Sequence, residues 1–144
     1  MQLWFLLSLG ASILWGISYV IEEYLLKTFT YKEVMLSQIV ILFLILLPYL
    51  LYEGAFGGFV SKLSNIKNLA IFTLNGIVFS IANILILKGI KVGNASLAAT
   101  IESAYPLFTL AFAYLILGEK QVSLTSLMGC LITICGLIIV KLGS

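Results

Sequence analysis

Five predominantly apolar runs, each close to the roughly 20 residues needed to cross a bilayer as a helix, fill nearly all of this 144-residue chain. They lie at about 3–26, 34–52, 69–87, 95–117 and 122–140. None alternates strictly between apolar and polar residues, and only helices or closed barrels satisfy the backbone in lipid, so helices are predicted. The fold class read from this pattern is an all-α membrane protein with five transmembrane helices. The opening residues, Met1 and Gln2 before an apolar run, lack a basic leader and a small-residue cleavage site, so the first segment is expected to be retained.

Composition narrows the chemistry. Hydrophobic residues make up 62% of the chain and charged ones 10%, against roughly a quarter charged in soluble domains. The charges are 8 Lys and 6 Glu, with no Arg, Asp or His. Histidine-based triads, His-ligated metal sites and bidentate arginine recognition of phosphate are therefore excluded. A net charge of +2 spread over single lysines is no nucleic-acid footprint. No nucleotide-binding motif is present, and no cofactor or metal is expected. Cys130 and Cys135, about 140° apart on a helix, cannot bond to each other and read as small packing residues.

The charges punctuate the runs. Glu22, Glu23, Lys27, Lys32 and Glu33 surround the first connection, Lys62 and Lys67 precede the third run, Lys88 and Lys91 close it, and Glu119 and Lys120 separate the last two. The segment 53–68 reads as a flexible loop of amphipathic character, marked by Gly54, Gly57, Gly58 and Ser61. Lys62, Lys67 and Lys120 fall on one side of the membrane, and Lys27, Lys32, Lys88, Lys91 and Lys141 on the other. Counting the terminal amine leaves almost no bias, so the positive-inside rule specifies orientation weakly and insertion both ways is open.

Helical periodicity sorts the polar residues onto faces. Ser8, Ser12, Trp15, Tyr19 and Glu22 form one stripe on the first helix. They read either as serines bonding back into their own helix with packing aromatics, or as a substrate-lining face. Asn75, Phe79 and Asn83 ride successive turns of the third, as interhelical glue or as cavity lining. On the fourth, Ala95, Ala98, Glu102, Pro106, Thr109 and Ala113 share an arc of about 80°. Glu102 is the only charge well inside a run, roughly 10 Å along its helix. It should face a wet cavity, pair with Lys88 or Lys91, or stay protonated. Pro106 removes the hydrogen bond to the Glu102 carbonyl, so a kink is predicted there. Gly129 and Gly136, seven residues apart, define a seam on the last helix suited to packing another helix, including one from a second copy.

Several of these elements occur in an order that resembles the EamA-type domain of the drug/metabolite transporter superfamily. They are Trp15–Gly16 in the first helix, the small residues from Ala95 onward, Pro106, Gly118–Glu119, and Gly129 with Gly136. The last helix is also similar to that of small multidrug resistance proteins. The coupling glutamate of those proteins has no counterpart in Leu14, Trp15 and Gly16. Gln38 lies where EamA-type domains often carry an arginine.

The resemblance implies that residues 1–144 form a single EamA-type transmembrane domain, one half of a ten-helix inverted-repeat transporter. It implies a secondary transporter that moves a small organic metabolite or drug across the cytoplasmic membrane by alternating access, as a homodimer with antiparallel copies favoured. An alternative is a non-autonomous half of a heteromeric transporter or lipid-carrier flippase. The expected partners are membrane lipid, a second copy and a small-molecule substrate. Candidate substrate residues are Trp15, Tyr19, Asn75, Asn83, Glu102, Tyr105 and Thr109, with Glu102 also the coupling residue and Gly129 and Gly136 the dimer seam. An enzyme is not expected, because Glu102 has no intramembrane carboxylate, base or metal set beside it.

Overall fold

The computed structural model describes residues 3–118 and 124–143, and every element in it is helical. In chain order these are α1 (Leu3–Leu26), α2 (Tyr31–Tyr52), α3 (Ala55–Leu63), α4 (Ile66–Val92), α5 (Ala95–Glu102), α6 (Tyr105–Phe112), a π-helical turn (Ala113–Leu117) and α7 (Leu124–Gly143). Among the described residues, four stretches are long and apolar enough to cross a membrane: Leu3–Leu26, Tyr31–Tyr52, Ile66–Val92 and Ala95–Ile116. The apolar part of α7, Met128–Val140, is shorter. Residues 122 and 123, where the fifth run was expected to begin, and Glu119 and Lys120 before it, lie outside the described residues.

Local chemistry explains where the helices begin. Thr30 caps α2 through a capping box, its hydroxyl accepting from the Glu33 amide at 3.4 Å while the Glu33 carboxylate accepts from the Thr30 amide at 2.7 Å. The helix therefore starts at Tyr31, three residues before the apolar run. Asn94 caps α5 by accepting from the Leu97 amide at 2.8 Å. Helix α4 continues past Leu87 to Val92, because hydropathy marks the hydrocarbon-facing part of a helix and lysines do not end its hydrogen-bond ladder.

The expectation of a flexible loop at 53–68 is corrected. Nine of these residues form α3, entered through Gly54 at φ 65°, a left-handed turn that glycine makes without steric cost. Its apolar residues recur at three- and four-residue spacings, the period of a helix face.

The chain forms two compact units, Met1–Ile21 with Val92–Ser144, and Glu22–Lys91. In the first, α5 packs against α7, and Tyr19 and Ala95 are buried. In the second, Leu26, Val34, Leu87 and Ile90 are buried together with the Glu22 side chain. Elsewhere the large apolar side chains point outward along α1, α2 and α4. Lipid is the solvent that accepts such a surface.

Candidate functional site

The first unit assembles a polar site from α1 and α5. Trp15 and Tyr19, one turn apart, hold their rings 5.8 Å apart at an interplanar angle of 44°. Tyr19 is 8% exposed, and its hydroxyl donates to Oε2 of Glu102. An aromatic pair thus stands beside a carboxylate in a stretch of chain that has no other charge between Ala95 and Gly118.

The backbone is interrupted at the same place. Glu102 is the last residue of α5, and Pro106 is in the first turn of α6. Proline has no N–H to offer the Glu102 carbonyl. The connection tightens instead into three-residue turns, with the Ala104 amide donating to the Ile101 carbonyl at 3.1 Å and the Leu107 amide to the Ala104 carbonyl at 3.0 Å. The break predicted at Pro106 therefore falls between Glu102 and Tyr105. The carboxylate lies at the negative end of α5, where the helix dipole opposes another anion. The Tyr19 hydroxyl offsets part of that cost.

The other sequence-derived residues fall elsewhere. Thr109 donates its hydroxyl to the Tyr105 carbonyl at 3.0 Å, so that hydroxyl is engaged within α6, and the Tyr105 side chain is exposed. Asn75 is exposed and Asn83 half-buried on α4, in the second unit. Ser12 bonds back to the Ser8 carbonyl at 3.0 Å, as the packing reading of that stripe anticipates. Gly129 and Gly136 are exposed on α7, and a Cβ added at either would meet no atom within 4 Å. The two cysteines are free thiols.

Pairing with Lys88 or Lys91 is one of the settings open to Glu102; its partner in the structure is the Tyr19 hydroxyl. Lys88 instead places its ammonium 5.0 Å from the centre of the Tyr31 ring, a cation–π arrangement. A buried carboxyl elsewhere escaped the sequence reading. Glu22 is 3% exposed and accepts from Nε2 of Gln38 at 2.7 Å, joining α1 to α2. The stripe from Ser8 to Glu22 carried the signal. Glu22 read as a boundary charge because the next residue, Glu23, is acidic too, although α1 continues to Leu26.

These helices and their outward apolar surface define a multi-pass integral membrane protein. Residues 2–142 match the model of the EamA-like transporter family, and the chain belongs to that family, whose members are membrane transporters of small molecules. No curated protein and no solved structure matches the chain.

Proposed function

We propose that this protein is a secondary transporter that carries a small organic solute across the cytoplasmic membrane by alternating access, with Glu102 as the coupling group. The observation that carries this reading is the Tyr19 hydroxyl donating to the Glu102 carboxylate at an interrupted transmembrane helix. Intramembrane acids mark ion and substrate pathways, and broken helices place polar backbone beside them. Trp15 and Tyr19 supply a wall suited to planar or cationic groups. Asn75, Asn83, Tyr105 and Thr109 are proposed as further substrate-contacting residues.

The working unit in this reading is a homodimer. One chain supplies a single EamA-type domain, with α7 as its fifth span, and two copies in opposite orientation supply the ten helices of an inverted-repeat carrier. The open glycine seam on α7 and the near-balanced lysines support it. Each copy brings one Glu102 that loads a proton or a cationic solute in exchange.

The test is uptake into proteoliposomes from a panel of metabolites and drugs, with and without an imposed pH gradient. Glu102→Gln keeps the shape of the side chain and removes its charge. Loss of gradient-driven accumulation in Glu102→Gln, with helicity intact and partial activity in Glu102→Asp, is the expected result. Wild-type gradient-driven uptake by Glu102→Gln would end the coupling role.

A further inference from the structure

Helix α3 has no counterpart in the transport reading, and its stability is unexplained by the chain itself. It has nine residues and two glycines, Gly57 and Gly58, in its interior. Helices shorter than about 12 residues are marginal in water, and each internal glycine weakens one further relative to alanine. Packing within the chain does not make up the difference. No residue of α3 is buried, and Phe56, Phe59 and Val60 are 44%, 43% and 49% exposed. The helix rests on α2, and the Phe59 ring meets Phe72 of α4 edge-on, centroids 5.7 Å apart.

Its faces are sharply divided. Phe56, Phe59, Val60 and Leu63 share one side, and Gly57, Gly58, Ser61 and Lys62 share the other. Its location is fixed by its tethers. Glu53 and Gly54 join it to α2, and Ser64 and Asn65 join it to α4, so two residues at each end, reaching at most about 7 Å, hold it to the ends of two membrane-crossing helices. Tyr49 and the almost fully exposed Tyr52 end α2, the aromatic signature of a membrane–water boundary. The corner beyond α3 is cationic. Lys62 and Lys67 occur in a stretch, Gly54 to Ile101, without one acidic residue. The Asn68 amide donates to the Lys62 carbonyl at 3.0 Å, and Asn65 accepts from the Lys67 amide at 2.9 Å, so this corner is internally braced. The one nearby acid, Glu53, accepts from the Tyr49 hydroxyl at 2.5 Å.

We infer that α3 is an interfacial helix whose occupant is the anionic-lipid surface of the bilayer. Phe56, Val60 and Leu63 sink into the acyl boundary, and Lys62 and Lys67 bind anionic headgroups. The length, apolar stripe and flanking lysines match those of helices that lie in the plane of the interface. A second protein surface would need neither the boundary tethers nor the lysine pair.

The experiment uses the full chain with Cys130→Ser and Cys135→Ser, reconstituted into vesicles of phosphatidylcholine with or without phosphatidylglycerol. Spin labels are placed singly through Phe56→Cys, Gly57→Cys, Val60→Cys and Ser61→Cys, all at exposed positions. Labels at 56 and 60 should be reached by oxygen and shielded from a water-soluble nickel chelate, with the reverse at 57 and 61. Spin-labelled phosphatidylglycerol should associate more than phosphatidylcholine, by on the order of fivefold for each lysine at low salt. The preference should fall as salt rises and vanish in Lys62→Gln/Lys67→Gln, which leaves the depth pattern intact. Nickel access at all four positions would overturn the inference in favour of a water-exposed hairpin. Exclusion of both probes at 56 and 60 would overturn it in favour of a protein partner. Equal retention of the two lipids would overturn the headgroup recognition.

Discussion

The buried bond between Glu22 and Gln38 sets a quantitative expectation for how α1 and α2 are held. The Gln38 amide donates at 2.7 Å to a carboxyl that is 3% exposed, and Leu26 and Val34, on the same two helices, are 6% and 3% exposed. Gln38→Leu removes the donor to this buried oxygen, a loss of about 1–3 kcal/mol. Coupling energies between transmembrane helices average only about 0.6 kcal/mol and reach about 1.7, because unfolded segments in a membrane find other partners. A short bond to a carboxyl acceptor with this degree of burial belongs near the top of that range. A double-mutant cycle over Glu22→Leu, Gln38→Leu and their combination should give a coupling of about 1.5 kcal/mol. Unfolding in dodecyl maltoside micelles titrated with dodecyl sulfate, followed by far-ultraviolet circular dichroism, measures all four stabilities. A coupling below about 0.3 kcal/mol, within the usual additivity error, would refute the bond as a structural tie.

Two further expectations concern the same unit. Leu87 is fully buried, so Leu87→Ala should cost about 2–5 kcal/mol in the same titration, and an unchanged midpoint would contradict its place in the core. Thr30→Ala should lose about 1 kcal/mol by opening the capping box, and adding Glu33→Ala should cost little more because both residues serve one reciprocal contact; full additivity of the two would count against the box.

The spanning helices were legible because lipid imposes one rule on every turn: the outward side chains must be apolar. The boundaries were less so. Hydropathy located residue 34, whereas the reciprocal bonds of Thr30 and Glu33 begin α2 at Tyr31. In α3 the punctuation by Gly54, Gly57 and Gly58 hid a helix whose stripe was visible as amphipathic character. The site divided in the same way. Trp15, Tyr19 and Glu102 could be chosen from periodicity and from the scarcity of charge. Pairing with Lys88 or Lys91, one of three settings open to Glu102, followed from opposite charge alone, and the tyrosine that bonds it needed the tertiary pairing of α1 with α5. Gln38 passed unnoticed as a donor because one amide in an apolar run has no partner until the run is placed in space.

The proposed dimer rests on a physical imbalance within one copy. Lipid accepts the outward apolar side chains, but it does not accept Glu102, whose side chain is bonded to Tyr19 and still exposed. A charge at that depth costs about 2.5–3.5 kcal/mol if it faces hydrocarbon. In the proposed assembly the opposing copy and the water between the copies take that place. The seam proposed for the dimer is on α7, and α7 packs on α5, the helix that ends at Glu102. A Cβ added at Gly129 or Gly136 meets no atom within 4 Å in a single chain, so neither Gly129→Leu nor Gly136→Leu should unfold the monomer. A close helix contact at the seam would be overpacked by about 1–3 kcal/mol for each substitution, and a two-fold interface meets every substitution twice. Self-association measured by energy transfer between labelled copies in vesicles should therefore weaken at least tenfold, and uptake should fall with it. Unchanged association of both variants would exclude the α7 glycines as the contact, and weakened association with full uptake would show that a single copy transports on its own.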